Sequence, residues 1–180
     1  MTELLARGER IGLRALTVAD VGELYLAWMR DPEVVRYLEA RFTEHTLESL
    51  RDFVVTSTAR DDTLLLAICA LADDGRHIGN IKVGPLDPHH GTADVGLLIG
   101  DGGWRGRGAG REAIALATRL AAEELGARKL TASCYSTHVK SGDAFLANGW
   151  VDEGRRPAQF VGEAGVEDQW MFGLVLRSTP

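Results

Sequence analysis

The sequence predicts a mixed α/β fold in which helices flank a central sheet. Short apolar runs typical of strands alternate along the chain with stretches whose apolar residues recur at helical spacing. An Asp-Gly pair joins two of the strand-like runs, as in a tight β-hairpin. A glycine-rich segment, GDGGWRGRGAG at residues 100–110, connects another run directly to a long amphipathic stretch. Together these observations favour a sheet whose strands are covered by helices.

Length and composition restrict the class of protein. The chain has 180 residues, 45% of them hydrophobic, and a formal net charge of −6, which fits one domain spanning residues 1–180. It has no apolar run of about eighteen residues and no signal-peptide layout at its start, so we expect a cytoplasmic protein without a membrane partner. The acidic balance argues against nucleic acid as a partner. Cys69 and Cys134 lie in strand-like runs, and we expect both to be free thiols.

The first third of the chain is predicted to contain one strand and three helical segments. Thr17, with Asp20 three positions later, is typical of a capping box. Asp31 followed by Pro32 is a second helix-start signal, because proline is favoured at the first helical position. The predicted elements are a strand over residues 10–16, a helix over residues 17–28, a helix from Asp31 and a helix over residues 46–60.

The middle of the chain predicts an antiparallel meander, and the last third adds further strands and helices. Three strand-like runs, over residues 63–71, 77–84 and 93–100, are separated by short turns. The long helix after the glycine-rich segment is expected to end at Gly126. The remaining predicted elements are a strand over residues 128–135, a helix over residues 140–147, and strands near 150–155 and 166–176. The expected sheet has about six or seven strands, most of them antiparallel.

The glycine-rich segment has the features of an anion-binding loop. A helix N-terminus offers unpaired N–H groups and the positive end of the helix dipole. Glycines allow a phosphate group to approach these N–H groups without striking a Cβ atom. Glycines and arginines are interleaved here, at Arg105, Gly106, Arg107, Gly108, Gly110 and Arg111. The spacing excludes a P-loop and also a dinucleotide-binding fingerprint, since Arg111 stands where the latter needs its last glycine.

RGRGAG, at residues 105–110, resembles the Arg/Gln-x-x-Gly-x-Gly/Ala loop of the GNAT acetyltransferase superfamily. The resemblance extends through the following helix and strand to SGDAFLANGWVDEG, and covers about the last two-thirds of the chain. It is closest to the Rim-type branch, which is named for the acetylation of ribosomal-protein N-termini and also contains enzymes that acetylate small amines and amino sugars. The resemblance implies a single GNAT-like domain whose sheet is splayed between two central strands.

The resemblance also implies acetyl-coenzyme A as the cofactor. Its pyrophosphate is expected on the amides of Arg107 to Gly110, and its pantetheine arm along the strand that ends at Ile99. Gly96, within that strand, suits either a bulge that opens the cleft or a close packing contact. The expected cofactor-binding residues are Leu97, Leu98, Ile99, Arg105, Gly106, Arg107, Gly108, Ala109, Gly110, Arg111, His138, Ser141 and Phe145.

Acetyl transfer to an amine needs a neutral amine and a polarised thioester carbonyl. Asp94 stands where many relatives have a glutamate. It is expected either to order a water or hold a cationic acceptor, or to be an ordinary solvated carboxylate on a strand. A backbone amide at Leu98 or Ile99 is the candidate donor to the thioester oxygen.

The leaving-group side of the site departs from the family pattern. Phe145 and His138 replace the tyrosine and the asparagine of the family's segment, whereas Ser141 matches its serine. Because thiols ionise at about pH 8.5, the loss of a tyrosine acid need not abolish activity. Ser141 is the candidate proton donor, directly or through water, or else it only caps the following helix. Tyr135 is a weaker catalytic candidate, since a tyrosine at a strand end more often packs.

Candidate acceptor-binding residues are dispersed along the chain. By resemblance the N-terminal helices line the acceptor cleft. Trp28 and Tyr37 are the candidate substrate-binding residues there, and the alternative for Trp28 is a core position. Asp168 matches an acidic position of the branch, and is expected to meet an amine or to close a surface ion pair. Four acidic residues would suit a cationic acceptor if they converge: Asp94, Glu163, Glu167 and Asp168. His89 and His90 are adjacent in a turn, and we expect no metal site there.

The resulting hypothesis is an N-acetyltransferase that moves an acetyl group from acetyl-CoA to a primary amine in a direct ternary complex. The acceptor is a protein or peptide N-terminus, or a small amine such as an amino sugar, and we expect a monomer or homodimer. Phe145 and His138 leave an alternative open, a non-catalytic acyl-CoA-binding sensor or interaction module. A protein that binds no cofactor is the third hypothesis.

Overall fold

The central sheet contains eight strands within residues 3–163 and 165–176, the part of the chain that this computed structural model describes. The strands are β1 Ala6–Arg7, β2 Ile11–Ala15, β3 Leu64–Ala70, β4 Arg76–Val83, β5 Thr92–Ile99, β6 Lys129–Tyr135, β7 Val151–Gly162 and β8 Gly165–Val175. The helices are α1 Glu23–Arg30, α2 Pro32–Val35, α3 Leu47–Thr58, α4 Ala109–Glu123 and α5 Val139–Leu146. The strand order is β1-β2-β3-β4-β5-β6-β8-β7.

The sheet is antiparallel except where β5 meets β6 at its centre. These two parallel strands pair only over Thr92–Asp94, opposite Lys129–Thr131. Both strands then continue, β5 to Ile99 and β6 to Tyr135, with no pairing between these described residues. A cleft therefore opens in the middle of the sheet, and the predicted splay between two central strands is confirmed.

The bulge expected at Gly96 is wrong. The register between β4 and β5 runs without a shift from Val83 opposite Val95 to Gly79 opposite Ile99. An added Cβ atom at Gly96 would meet no described atom within 4 Å, so a close packing contact does not explain this glycine either. The cleft opens because the pairing between β5 and β6 stops.

Helices cover both faces of the sheet and bury two apolar layers. Successive residues of β3 point to opposite faces, as in any strand. Leu66 and Ile68 belong to the layer that also contains the buried face of α4, whereas Leu65 and Ala67 belong to the layer under α1 and α3. A strand buried on both faces requires a nearly continuous apolar run, which is the observed LLLAICA. Cys69 and Cys134 are buried free thiols, as predicted.

The predicted helix over residues 17–28 is broken in two. Thr17 and Asp20 form the predicted capping box, but this box opens only a short 3-10 turn. Gly22 then has an extended backbone and serves as the N-cap of α1, which begins at Glu23. A capping box specifies a helix start and not the length of the helix, so the break was invisible to that signal.

The remaining elements follow the prediction with small differences. The Asp-Gly hairpin between β3 and β4 is confirmed, with Asp74 and Gly75 at φ of +49° and +75°. β1 was not predicted, because two residues are too few for a periodic pattern. β7 continues past the expected end near residue 155 to Gly162, with two register shifts against β8. In the described part of the chain, no helix combines the length and the apolarity needed to cross a membrane.

Candidate active site

The glycine-rich loop between β5 and α4 leaves backbone donors free at the start of α4. Gly108 is the N-cap of α4 with φ of +88°, and Gly106 has φ of +73°. Both angles lie in the left-handed region that favours glycine. No side chain caps the helix, and the amides of residues 109–111 have no acceptor among the described residues. The loop therefore presents unpaired N–H groups at the positive end of the helix dipole.

The three predicted arginines surround this loop with positive charge. Arg105, Arg107 and Arg111 are all exposed. The Arg105 guanidinium lies 3.9 Å from the Asp31 carboxylate, at the limit of an ion pair. Within the described residues Arg107 and Arg111 form no ion pair. Their charges are therefore available to an anionic ligand.

The free edge of β5 borders the cleft and carries a second set of donors. The N–H and C=O groups of successive strand residues point to opposite neighbours. Gly100 donates to the Ile78 carbonyl at 3.0 Å, so the even-numbered residues of β5 bond to β4. The amides of Leu97 and Ile99 consequently face the cleft, whereas the Leu98 amide faces β4. Of the two predicted donors to a thioester oxygen, Ile99 is the one on the cleft side.

Asp94 lies at the base of the cleft, as the last residue of β5 that pairs with β6. Its carboxylate accepts a hydrogen bond from the Thr131 hydroxyl, with Oγ1 3.1 Å from Oδ1. The surrounding protein displaces water from the carboxylate and raises its pKa, while the Thr131 hydrogen bond and the charge of Lys82 offset part of this rise. The residue nevertheless remains exposed. An accessible carboxylate with a raised pKa is suited to accept a proton.

Tyr135 takes part in a hydrogen-bonded network on the α1–α3 side of the sheet. Its hydroxyl donates to Glu39 Oε1 at 3.0 Å and accepts from Arg41 at 3.1 Å. Its ring stacks on Phe160, with the centroids 4.3 Å apart. Burial and the neighbouring Glu39 carboxylate raise the pKa of Tyr135. The hydroxyl is therefore engaged both as donor and as acceptor.

Ser141 lies in the first turn of α5, beside the Cys134 thiol on the other face of β6. Burial raises the pKa of Cys134 to about 11, and a hydrogen bond with Ser141 offsets part of the rise. Because adjacent strand residues point to opposite faces, the sheet separates Cys134 from Tyr135. The two candidate proton donors, Ser141 and Tyr135, therefore belong to different faces of the sheet.

The loop, the cleft and the sheet order together describe a known architecture. A sequence profile described as "Acetyltransferase (GNAT) domain" matches residues 10–151. The chain belongs to the GNAT acetyltransferase family. The predicted superfamily membership is thereby confirmed, and the protein is an acyltransferase. No protein of curated function matches the sequence.

Solved GNAT structures share the fold over nearly the whole chain. RimL, a ribosomal L7/L12 alpha-N-protein acetyltransferase solved with coenzyme A, has a TM-score of 0.83 at 15% identity, covering 96% of this chain and 98% of that chain. Spermidine N-acetyltransferase from Vibrio cholerae, solved with CoA and spermine, has a TM-score of 0.81 at 16% identity, with 93% and 96% covered. A GNAT acetyltransferase from Bacillus anthracis has a TM-score of 0.78 at 17% identity, with 94% and 97% covered.

Two residues predicted at the GNAT site lie in the core instead. Trp28 is 5% exposed, and an added Cβ atom at Gly100 would lie only 2.1 Å from its ring. Phe145 is 2% exposed and packs edge-on against Trp150 and stacked on Phe172, with centroid distances of 4.8 and 5.5 Å. Neither ring has an exposed face for a ligand. Substrate contact by Trp28 and cofactor contact by Phe145 are therefore not supported by this geometry.

Tyr37 and His138, predicted to contact the acceptor and the cofactor respectively, lie against each other. Their rings stack with centroids 4.1 Å apart and an interplanar angle of 14°. His138 is the N-cap residue of α5, and burial and the nearby charge of Lys140 lower its pKa. The stack joins the segment after α2 to the start of α5, so residues about a hundred positions apart pack against each other.

The four acidic candidates do not converge on one point. The Glu163 carboxylate lies 3.1 Å from Arg36, and Glu167 accepts a 2.5 Å hydrogen bond from Thr137. Asp168 accepts from the Ala158 amide at 2.9 Å, which supports the irregular part of β7. Asp94 alone among the four lies at the base of the cleft. The condition that all four converge is therefore not met, although Glu163 and Glu167 both line the smaller of the two cavities described below.

Two adjoining cavities lie between the segment after α1 and the β7–β8 hairpin. Their volumes are about 310 Å³ and about 90 Å³, and both are lined by Arg36, Arg41 and Glu163. The smaller cavity also reaches Tyr135. The sequence analysis missed Arg41 and Glu39, because their Tyr135 partner lies 94 and 96 residues away and no local pattern marks such a contact.

Proposed function

We propose that this GNAT enzyme transfers an acetyl group from acetyl-CoA to a primary amine by direct attack within a ternary complex. The observation that carries the proposal is the juxtaposition of free amides at the start of α4 with the cleft between β5 and β6. Asp94 lies at the base of that cleft. The free amides are suited to bind an anion, the cleft to hold an extended ligand, and Asp94 to accept a proton.

The residues present fit coenzyme A. The unpaired amides of the α4 first turn and the exposed Arg105, Arg107 and Arg111 are suited to hold a pyrophosphate. An added Cβ atom at Gly106 would meet no described atom within 4 Å, so the backbone is open to a ligand there. The cleft-facing amides of Leu97 and Ile99 would bind the extended pantetheine arm in the manner of an added strand. Bound acetyl-CoA would supply the activated thioester.

The chain's own groups would then manage the proton and the developing charge. The amine nitrogen forms a bond to the thioester carbonyl carbon, and the carbon–sulfur bond breaks. Asp94 takes the proton lost by the amine, directly or through a water, or holds a cationic acceptor in place. The Ile99 amide donates to the carbonyl oxygen as negative charge develops on it. Ser141 is the proposed donor to the departing thiolate, directly or through water, and the proton that it gives up is replaced from solvent.

The acceptor is proposed to be a protein or peptide N-terminus or a small amine such as an amino sugar. The names of two structural neighbours support amines of both kinds, since one acetylates an alpha-amino group of ribosomal L7/L12 and the other spermidine. The cavities beside Arg36 and Arg41 provide the proposed approach for this acceptor. A cytoplasmic location, a monomer or homodimer, and a single domain over residues 1–180 stay part of the prediction.

The test is an acetyl-transfer assay with purified protein, acetyl-CoA and a panel of peptide N-termini, amino sugars and polyamines. We expect amine-dependent release of CoA thiol, with the acetylated amine identified by mass spectrometry. Initial-rate lines that intersect, as both substrates are varied, are expected for a ternary complex. Binding of acetyl-CoA without transfer to any amine would favour the non-catalytic sensor instead. The absence of both binding and transfer would leave the loop without a cofactor.

A further inference from the structure

The turn between β1 and β2 lies against the start of α4, although nothing in the sequence connects the two. The Arg10 guanidinium donates from one terminal nitrogen to the Arg107 carbonyl at 2.7 Å. The backbone amides of Glu9 and Arg10 also donate to the Glu112 carboxylate in the first turn of α4, at 2.5 Å and 3.0 Å. The turn thus donates three hydrogen bonds to the glycine-rich loop and the start of α4, across about a hundred residues of sequence.

The Arg10 contact controls the orientation of one peptide unit. The Arg107 carbonyl and the Gly108 N–H belong to the same planar peptide, where they point in opposite directions. By holding the carbonyl, Arg10 directs the Gly108 N–H the other way. Gly108 has φ of +88° and no side chain, so its own conformational preference does not fix that peptide. Among the described residues the Arg10 bond is the one hydrogen bond that this peptide unit makes, so its loss would remove that restraint.

Sterics support a built contact between the two segments. An added Cβ atom at Gly8 would lie 2.0 Å from Glu112 Oε1, so a side chain at residue 8 would displace that carboxylate from its present position. An added Cβ atom at Gly108 would lie 3.5 Å from the Arg10 guanidinium, in ordinary van der Waals contact. Arg10 therefore reaches the loop at the residue that precedes the free amides of α4.

We propose that Arg10 and Glu112 are positioning residues for the glycine-rich loop between β5 and α4, and that they hold it in the conformation that receives the cofactor. The β1–β2 turn is then part of the coenzyme A site. This inference rests on the proposed function, because it assumes that coenzyme A binds at the loop. Arg10 also keeps donors beyond the one bonded to Arg107, with no acceptor among the described residues. Its charge therefore adds to that of the loop arginines.

The test compares Arg10→Ala and Glu112→Ala with matched control variants. Arg7→Ala removes an exposed arginine of β1, and Glu123→Ala removes an exposed glutamate at the other end of α4. Neither control side chain has a hydrogen bond or ion pair within the described residues. Calorimetry would measure the affinity of each variant for CoA and for dephospho-CoA, after the melting temperature of the unliganded protein has been recorded.

We expect the affinity for CoA to fall roughly tenfold in both test variants, which is the effect of losing one hydrogen bond to a charged group. The control variants should bind CoA with unchanged affinity. The affinity for dephospho-CoA should fall by the same factor, because Arg10 and Glu112 act on the loop rather than on the 3′-phosphate. In turnover, KM for acetyl-CoA should rise while kcat stays near the wild-type value. Transfer from S-acetylpantetheine, which lacks the phosphates, should not change.

The outcomes separate this inference from the proposed function. If both variants bind CoA as tightly as the wild type does, the positioning role of Arg10 and Glu112 is overturned and the acetyltransferase proposal stays intact. A loss confined to CoA, with dephospho-CoA unaffected, would also overturn it, because Arg10 would then be a direct phosphate ligand. Failure of the wild type to bind CoA would overturn both. If Arg10→Ala does not fold, Glu112→Ala decides between these outcomes.

Discussion

The two ends of the cleft are built from different materials. At the end that is proposed to bind the cofactor, the donors are backbone groups, namely the amides of the α4 first turn and those of Leu97 and Ile99. At the end that is proposed to bind the acceptor, the surface consists of side chains that already bind one another, such as the Tyr135–Glu39–Arg41 network and the Tyr37–His138 stack. The first end depends on the glycine pattern of one loop and on the Arg10 and Glu112 contacts to it, whereas the second depends on side chains from several distant segments.

This difference separates what is constant from what can vary in such an enzyme. The conformation of the glycine-rich loop depends on its glycines and, as proposed above, on the Arg10 and Glu112 contacts at its end. The acceptor end can change its chemistry by exchanging single side chains on α2, on the segment that follows it or on β7, without disturbing the loop. Specificity is therefore expected to reside in the side-chain half, and affinity for the cofactor in the backbone half.

The largest expected effect comes from breaking the backbone half at its helix cap. Gly108→Val places a β-branched residue at φ of +88° and covers the first-turn amides with a side chain. We expect the affinity for CoA to fall by roughly a hundredfold or more, since several charge-assisted hydrogen bonds are lost together. Calorimetric titration with CoA measures the loss.

Gly126→Val is the matched control for that variant. Gly126 has φ of +65° and follows the other end of α4, so valine there meets comparable backbone strain of about 1–3 kcal/mol away from the loop. Both substitutions should lower the melting temperature, and only Gly108→Val should lower the affinity for CoA. Equal CoA affinity in the two variants would mean that the loop is not the phosphate site.

The same contrast explains which parts of the molecule the sequence predicts. The glycine-rich loop before α4 was predictable because glycines before an amphipathic helix form a local pattern, and the Asp-Gly turn at Asp74 and Gly75 was predictable for the same reason. The membership of the family also followed from a local motif, RGRGAG. Local patterns specify conformations that depend only on near neighbours in the chain.

The side-chain contacts around the cleft and the loop were not predictable, because they join remote segments. Arg41 bonds to Tyr135 and to the Val161 carbonyl, 94 and 120 residues away. Arg10 meets Arg107 across 97 residues. A second failure was the assignment of Trp28 to the substrate site, since an aromatic residue on an amphipathic helix has the same pattern whether it faces the core or a cleft. Only the packing against Gly100 distinguishes the two positions.

A smaller effect is expected from changing Asp94, the proposed base at the bottom of the cleft. Asp94→Asn keeps the shape of the side chain and removes its negative charge. We expect kcat to fall by roughly a hundredfold with CoA affinity unchanged, the lower range for loss of general-base catalysis. In the wild type, kcat/KM should decrease as the pH falls through the raised pKa of Asp94, and this acid limb should disappear in the variant.

Stability gives a second reading of Asp94 with a definite sign. Because its pKa is raised in the folded state, ionisation of Asp94 opposes folding, and its cost develops as the pH rises above the ordinary aspartate range. Asp94→Asn should therefore raise the melting temperature at pH 7, and the gain should vanish below about pH 4. Asp52→Asn, on the exposed face of α3, is the control and should change neither activity nor stability. Full activity in Asp94→Asn would mean that Asp94 is only a solvated carboxylate.

The smallest effect is expected at the leaving group, where the site is poorest in side-chain donors. Ser141→Ala removes the hydroxyl beside Cys134, and we expect kcat to fall less than about tenfold, because a thiolate whose conjugate acid has a pKa of about 8.5 departs without full protonation. Ser136→Ala, whose side chain has no partner among the described residues, serves as the control for steady-state kinetics. A fall of a hundredfold in Ser141→Ala alone would make this hydroxyl an obligatory acid. The departure of the sulfur would then depend on a side chain. This would contradict the contrast drawn above, in which the proposed cofactor contacts at this end are made mainly by backbone groups.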